Sequence, residues 1–457
     1  MDFRLLKKTW GLAISAALMT PSLAGGDNVL LVLLDDVGVD RVRSYAITAD
    51  CGPTPTLDHL AATGVKFDTC WALPICSPTR AAVLTGRYGF RNGVRWNVKD
   101  QTGSIGLSLH EWTIPEVLNV GSLSEIRTAA IGKWHLGQHK LLTEPPPAMK
   151  AGFGLYSGNL WNLGGEGEDW AFWNFMKTTP IGRVPVTRYA TTDEIEDARR
   201  AIELFGDAPW FVYLAPHSAH IPYHAPPDDL HDRPLEGIPL DSPPVHHKAM
   251  VQALDTELGR LLDSLAPSVR ARTTVIILGD NGSPNSSIEP PFDPEHGKGT
   301  VYEGGVHVPL IISGAAVPTG ARGRSCKALV SVTDIFATTG DLFGIDTRSI
   351  VPSDVVLDSV SLAPYLSDPD LPSIRSMLYT ERVSKQTHGT EYTRHQRAAR
   401  NSRFKLIRDD LTGVDQLFDL ALDPLEKRNL LDLGPDLEDE VRQAYFELDR
   451  WLEEHQL

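Results

Sequence analysis

Apolar runs rich in Val, Ile and Leu recur along the chain, each followed by polar residues and separated by stretches of helical period. The clearest cover residues 28–34, 127–131, 210–215, 274–278 and 309–313. A strand that is apolar along its whole length is buried on both faces, and such strands alternating with helices predict a parallel α/β sheet. Between them, residues 56–62 open at a threonine suited to capping and run to Gly64, and 192–205 do the same before Gly206. Residues 249–265 read as a longer amphipathic helix. After about residue 366 the texture changes. A proline-rich stretch, Asp368-Pro369-Asp370-Leu371-Pro372, leads to strand-like runs at 376–380 and 404–408 and to a final helix over about 436–455. This pattern predicts a small α+β second domain.

Four of the five strands end at reactive side chains: Asp35-Asp36, then Lys133-Trp134-His135, then His217 to His220, then Asp280-Asn281. Open parallel sheets gather their sites at the carboxyl ends of strands, so one sheet brings all four clusters to one crevice. Two adjacent carboxylates leaving a buried strand repel each other unless a cation lies between them. Asp280 and Asn281 add oxygen ligands from another strand end, and this hard donor set fits Ca²⁺ or Mg²⁺ better than Zn²⁺. An Asp-Asp or Asp-Asn-Gly on its own is a turn or a helix cap. Their joint placement at strand ends is what points to a metal.

Composition narrows the partners. Against 43 basic residues stand 59 acidic ones, a net charge of -16, which repels a nucleic-acid backbone. A small anionic substrate remains compatible, because a few clustered cations can hold it. At the start, Arg4, Lys7 and Lys8 precede an apolar run over about 10–19 and the small-residue sequence Ser22-Leu23-Ala24. That is the layout of a secretory signal peptide over residues 1–24, and it predicts a secreted or periplasmic protein. The run is shorter than the roughly 20 residues of a spanning helix, and no later segment resembles one, so no stable membrane insertion is expected. Four cysteines, Cys51, Cys70, Cys76 and Cys326, are too few for a disulfide scaffold. With one reserved for chemistry, at most one bridge forms among the other three.

In Cys76-Ser77-Pro78-Thr79-Arg80, proline opens a helix and an alanine-rich segment continues to Gly86, which places Cys76 at a helix N-terminus where the dipole favours an anion. The whole string, Cys76-Ser-Pro-Thr-Arg80-Ala-Ala-Val-Leu84-Thr85-Gly86-Arg87, resembles the signature of the type I, formylglycine-dependent sulfatases, arylsulfatase-like members of the alkaline phosphatase-like superfamily. Further blocks resemble that family in its order: Asp35-Asp36-Val-Gly38, Gly132-Lys133-Trp134-His135-Leu-Gly137, Pro216-His217-Ser-Ala-His220-Ile-Pro222, Gly279-Asp280-Asn281-Gly282, Gly297-Lys298-Gly-Thr300-Val-Tyr-Glu303-Gly-Gly305 and Leu417-Phe418-Asp419-Leu420. The resemblance implies a large mixed, mostly parallel sheet sandwiched by helices over 25–366, with a smaller C-terminal α+β domain, antiparallel sheet plus helix, over 367–457.

It also implies roles. Cys76 is oxidised by a maturation enzyme to formylglycine (3-oxoalanine), and Asp35, Asp36, Asp280 and Asn281, with the modified Cys76, hold Ca²⁺, with Mg²⁺ as the alternative. Arg80, Lys133 and Lys298 hold the sulfate, while His135 and His220 handle protons. His220 is chosen because it lies two residues before Pro222, as the family's catalytic histidine lies before its proline; His217 and His224 then take supporting or surface places. At His307 the chain departs from the arginine common in relatives, which concerns a supporting contact and not the reaction. The side chains suit the chemistry, since a sulfate ester repels nucleophiles until cations neutralise its oxygens. A hydrated aldehyde offers one hydroxyl to attack sulfur and a second whose deprotonation releases sulfate, so no water need attack sulfur.

Between 159 and 175 lie Trp161, Trp170, Phe172, Trp173 and Phe175, aromatics that either stack on a sugar or aryl substrate or pack an insertion against the domain. The expected activity is hydrolysis of sulfate esters of carbohydrates, or of aryl sulfates. A phosphate or phosphonate monoester hydrolase with the same nucleophile and a catalytically silent glycan-binding homologue are the alternatives, and the intact Cys76, Arg80, Lys133, His135, His220 and Lys298 argue against the latter.

Overall fold

A computed structural model describes residues 28–98, 106–137, 144–163, 169–240, 242–383, 393–434 and 437–455. The predicted leader over 1–24 lies outside them. In chain order the strands are β1 (Asn28–Leu34), β2 (Gly64–Phe67), β3 (Cys70–Trp71), β4 (Arg127–Lys133), β5 (Leu155–Asn159), β6 (Phe175–Thr179), β7 (Gly182–Val186) and β8 (Trp210–Ala215). They continue with β9 (Thr273–Gly279), β10 (Leu310–Gly314), β11 (Arg324–Cys326), β12 (Val330–Ser331), β13 (Leu378–Val383), β14 (His395–Arg400), β15 (Phe404–Asp409) and β16 (Val414–Asp419).

Ten strands form one sheet in the order β11-β2-β10-β9-β1-β8-β4-β5-β6-β7. All of β1 is buried, as its unbroken apolar run requires. Alternation divides it between two cores: Val29, Leu31 and Leu33 pack with Ala81, Leu84, Val117 and Ile335 on one face. Leu30 and Val32 pack with Ile195, Ala198, Met250 and Leu254 on the other. Helices Cys76–Thr85, Ile114–Gly121 and Asp334–Leu342 therefore cover the first face, and helices Pro55–Thr63, Ala190–Phe205 and Pro243–Ser264 the second.

The neighbouring strands β9, β1, β8, β4 and β5 are parallel. The fifth predicted strand is a correction: residues 309–313 become β10, which runs antiparallel to β9. Parallel neighbours need a crossover, usually an α-helix. The loop between β9 and β10 instead carries only a 3-10 turn, Pro294–His296, and the short helix Glu303–Val306, so the chain folds back along the same edge. The long amphipathic helix also begins earlier than its apolar pattern, at Pro243, and β4 extends through Lys133.

Beyond residue 366, β13 to β16 form a four-stranded antiparallel meander. Helix Asp439–Glu454 packs on one face through Leu448 and Leu452. On the other, Leu378, Ala398, Ile407 and Phe418 share a core with Trp71, Val301 and Val306 of the larger part. The strand expected at 376–380 begins at Leu378, and the final helix begins at Asp439. Among the described residues no helix is long and apolar enough to cross a membrane, and all four cysteines are free thiols.

Candidate active site

The carboxyl ends of β9, β1, β8 and β4 lie side by side, and each delivers its cluster to the same edge of the sheet. Asp35 and Asp36 follow β1 directly, with Asp36 in the left-handed region at φ 62. Cys76 is the first residue of a ten-residue helix, and its Sγ lies 3.6 Å from Asp35 Oδ1 and 4.0 Å from Asp36 Oδ1. Lys298, from the loop after β9, approaches the same sulfur to 3.4 Å and pairs with Asp36. Lys133 Nζ donates to Asp35 Oδ2 at 2.5 Å. Arg80, one turn along the helix from Cys76, donates to Asp280 Oδ2 at 3.0 Å and to the Lys133 carbonyl at 2.9 Å. Five charged side chains other than Lys298 are thus buried together: Asp35, Asp36, Asp280, Arg80 and Lys133 are each at most 1% exposed. Such a cluster persists only because opposite charges face one another at close range.

Titration follows that balance. Burial acts to raise Asp35, yet Lys133, His220 and Arg80 outweigh it and hold the carboxyl well below its ordinary range. Asp280, dominated by burial and by the charge of Asp35, is pushed up to about 7. Burial also lifts the Cys76 thiol to about 12, so the unmodified sulfur is a protonated, poor nucleophile.

The donor set fits a divalent cation. Asp35, Asp36, Cys76 and His220 each place one ligand atom within 4.8 Å of the others. Asn281 donates from Nδ2 to Asp36 Oδ1 at 2.9 Å, while its Oδ1 is buried and accepts no hydrogen bond among the described residues. Asp280 Oδ1 accepts the Asp36 backbone N–H at 3.1 Å. Three carboxylates and an orphaned amide oxygen in a dry site are the environment a hard cation neutralises.

Both predicted proton-handling histidines reach the cluster. His220 Nδ1 lies 2.7 Å from the Ile221 carbonyl, to which it donates, and Nε2 lies 3.9 Å from Asp36 Oδ2. Burial and Lys133 push this ring down to about 4. His135, at φ 57, is buried with an unpartnered Nδ1, and burial with the charge of Lys133 holds it well below the usual histidine range. Its ring meets Trp161 edge-on at 6.4 Å. His217 has both nitrogens engaged, Nδ1 with Glu194 and Nε2 with the Trp161 carbonyl at 2.9 Å, so it fastens the Trp161 segment to the site wall. Trp173, partly buried, packs on Tyr189 and His224 at 5.0 and 5.1 Å, against the core under the second helix layer. Trp170 falls in the 3-10 turn Asp169–Phe172, and its side chain lies outside the described residues. His307 accepts no catalytic contact; its Nε2 donates to the Asp68 carbonyl at 2.9 Å and its Nδ1 lies 3.7 Å from Glu303.

Sequence patterns missed the buttress beneath Asp36. His247 donates from Nε2 to the Asp36 carbonyl at 3.0 Å, and its Nδ1 accepts from Arg41 Nε at 3.2 Å. The only sequence signal was an unexplained His246-His247 pair on the long helix, in a segment whose apolar period had not yet begun.

Known proteins are similar to this chain in sequence and in fold. The profile of the family described as Sulfatase matches residues 27–345. Arylsulfatase A of Bos taurus is 27% identical across an alignment of 495 positions that covers 96% of this chain and 90% of that protein. N-acetylgalactosamine-6-sulfatase of Canis lupus familiaris is 30% identical across an alignment of 374 positions that covers 74% of this chain and 65% of the dog protein. Ps i-CgsB, solved in complex with k-i-k-neocarrahexaose, has the same fold with a TM-score of 0.74 at 24% identity, covering 93% of this chain and 92% of that one. So does a protein solved with its substrate D-glucosamine-2-N,6-O-disulfate, with a TM-score of 0.70 at 20% identity over 94% and 97% of the two chains. Since the family profile runs through the whole cluster from Asp35 to Lys298, the chain belongs to the sulfatase family.

Proposed function

We propose that the protein is an exported, metal-dependent hydrolase of sulfate esters on carbohydrates, with Cys76 converted to formylglycine by a maturation enzyme and Ca²⁺ as the resident cation. One observation carries this reading: Arg80, Lys133 and Lys298 converge with two histidines on a helix-terminal cysteine above a buried acidic cluster. The relatives named for sulfated sugars and aryl sulfates support the substrate class. Asp35, Asp36, Asp280 and the orphaned Asn281 oxygen would hold the cation beside residue 76.

When present, the hydrated aldehyde supplies the nucleophilic hydroxyl and the cation polarises it. The chain's own residues do the rest. Arg80, Lys133 and Lys298 neutralise sulfate oxygens, and Arg80 also braces the Lys133 carbonyl and Asp280. Lys298, which its carboxylate neighbours keep protonated against the effect of burial, donates to the departing alcohol, with His220 beside it. His135 is neutral with a free Nδ1 and takes the proton whose loss releases sulfate. Helix Cys76–Thr85, buried along its length, keeps bulk water from the reacting side chain.

The test is a hydrolysis screen with protein made alongside a formylglycine-generating enzyme. A peptide carrying residue 76 is expected to show the aldehyde by mass, sulfated sugars and not phosphonates are expected to be cleaved, elemental analysis to find calcium, and the mature chain to begin near residue 25. Full activity with the Cys76 thiol intact, or stoichiometric zinc, overturns the mechanism.

A further inference from the structure

Beside the site stands a cation that the cluster does not use. Arg382 lies on β13, on the face that turns toward the larger part: Thr380, two residues earlier, donates to the Ala72 carbonyl at 3.1 Å, and Leu378 shares a core with Trp71. Alternation along a strand puts Leu378, Thr380 and Arg382 on one side. The guanidinium reaches Gly299, next to Lys298; its Nη2 lies 3.6 Å from where a Cβ at Gly299 would sit. Gly299 is itself fixed by its N–H to the Pro74 carbonyl at 2.8 Å, and φ there is 83. Arg382 therefore borders the loop that presents Lys298 to Cys76.

Among the described residues nothing neutralises it. Its Nε is buried without a hydrogen-bond partner, and among the described residues no carboxylate pairs with its guanidinium. A second arginine stands near: Arg382 is opposite Gln396 in the β13–β14 register, and Arg394, two residues before Gln396, falls on the same face diagonally across from it. Burial and the charge of Arg394 lower Arg382 to about 10, the mark of cations placed together without a counter-ion. Arg394 is exposed. Elsewhere on these strands arginines are paired, as Arg397 is with Asp410 and Arg408 with Asp415. A half-buried guanidinium without an anion is unfavourable, and an arriving anion relieves that. The sulfate under attack already has Arg80, Lys133 and Lys298.

We propose that Arg382, assisted by Arg394, forms a separate anion-binding subsite on the rim of the active site, which takes a second anionic group, sulfate or carboxylate, on the saccharide whose sulfate ester is cleaved. This inference rests on the reading of the chain as a carbohydrate sulfatase and narrows its substrates to saccharides with more than one negative charge. Arginine's planar fork suits both groups, since each presents two oxygens to it.

Binding separates this subsite from turnover. Calorimetric titration of Cys76→Ala protein, alone and combined with Arg382→Gln, uses three probes: a disulfated hexosamine, its monosulfated counterpart, and a monosulfated disaccharide carrying a uronic acid. The parent is expected to hold one or both of the doubly charged probes more tightly than the singly charged one, and Arg382→Gln to weaken that binding by about tenfold or more while leaving the monosulfated probe unchanged. The disulfated and uronate arms tell sulfate from carboxylate. Arg382→Lys, which keeps the charge but not the fork, is expected to fall between. Equal affinity of the parent for all three probes, or an equal loss for all three in Arg382→Gln, overturns the subsite. Failure of modified wild-type enzyme to hydrolyse any sulfate ester would instead remove the hydrolase reading and leave the binding difference to stand or fall by itself.

Discussion

Asp36 shows how much of a site depends on a residue that never meets the substrate. Its left-handed backbone turns both its carboxylate and its N–H inward, and the carbonyl thereby exposed is held by His247. Because Nδ1 of that ring accepts from Arg41, the imidazole is neutral and Nε2 carries the proton that holds Asp36. Removing such a support behind a ligand typically lowers metal affinity or activity by about 10- to 100-fold. We expect His247→Ala to lose metal on dialysis and activity to that extent, and His247→Gln to recover part of both because its amide can still donate. Unchanged metal content and turnover in the alanine variant would show that the backbone holds Asp36 unaided. The carboxylates and cations gathered at the site, including those proposed to hold the metal, were legible in the sequence because each lies at the end of an apolar strand or in a signature string. His247, Arg41 and Glu194 were not, for they act on Asp36 and His217 from other elements, and no local pattern marks contacts spanning the chain.

At the scale of elements, parallel strands were readable where burial on both faces makes the run continuous, as in β1, β8 and β9. The reversal of β10 was not, since direction depends on how the loop before it folds. Nor were β14 and β16, whose charged residues pair across the small sheet and break the apolar pattern. That sheet joins the larger part through a buried charge network: Lys405 of β15 meets Glu303 at 3.2 Å and Glu426 at 2.7 Å, and Trp71 Nε1 donates to Glu303 at 3.1 Å. Burial acts to raise Glu303, but Lys405 and Arg400 outweigh it and keep it ionised. Glu426 goes the other way, raised from 4.5 to about 7 by burial, with Lys405 only partly opposing and Glu303 adding to the shift. A raised folded-state value gives stability that is complete below the unfolded value and fades as pH rises through the folded one. Wild type should therefore lose Tm relative to Glu426→Gln between pH 5 and 8, a difference that thermal melts across that window measure directly. Lys405→Met removes the cation that Glu303 and Glu426 share, leaving Arg400 alone beside Glu303, and is expected to cost roughly 3–5 kcal/mol. A parallel pH profile for wild type and Glu426→Gln would mean that Glu426 stays ionised throughout.

Over the whole molecule, the change of texture after residue 366 divides the sequence more sharply than the packing divides the protein. The small sheet has two faces, and neither belongs to it alone: even on the face under the C-terminal helix, Tyr88 and Phe90 of the larger part pack on Tyr379. Helix Asp439–Glu454 covers that face, whereas Leu378, Ala398, Ile407 and Phe418 on the other fill a core shared with Leu420 and with Trp71, Val301, Val306 and Leu329 of the larger part. Polar ties run along the same seam: Arg375 Nε donates to both oxygens of buried Asp334, at 3.0 and 2.9 Å, and Arg95 pairs with Glu381 at 2.5 Å. Trp71 and Val301 also flank the segments that position Cys76 and Lys298, so loss of the sheet would open the site to water and expose a continuous apolar patch. Patches of that size on a free surface drive aggregation. A chain ending at residue 366 is therefore expected to be insoluble or to melt without a cooperative transition, while the full chain should unfold in a single calorimetric step with equal calorimetric and van't Hoff enthalpies. Two resolved transitions in the full chain, or a soluble and cooperatively folded fragment over 25–366, would show instead that the catalytic α/β layers fold alone and that the meander docks on them afterwards.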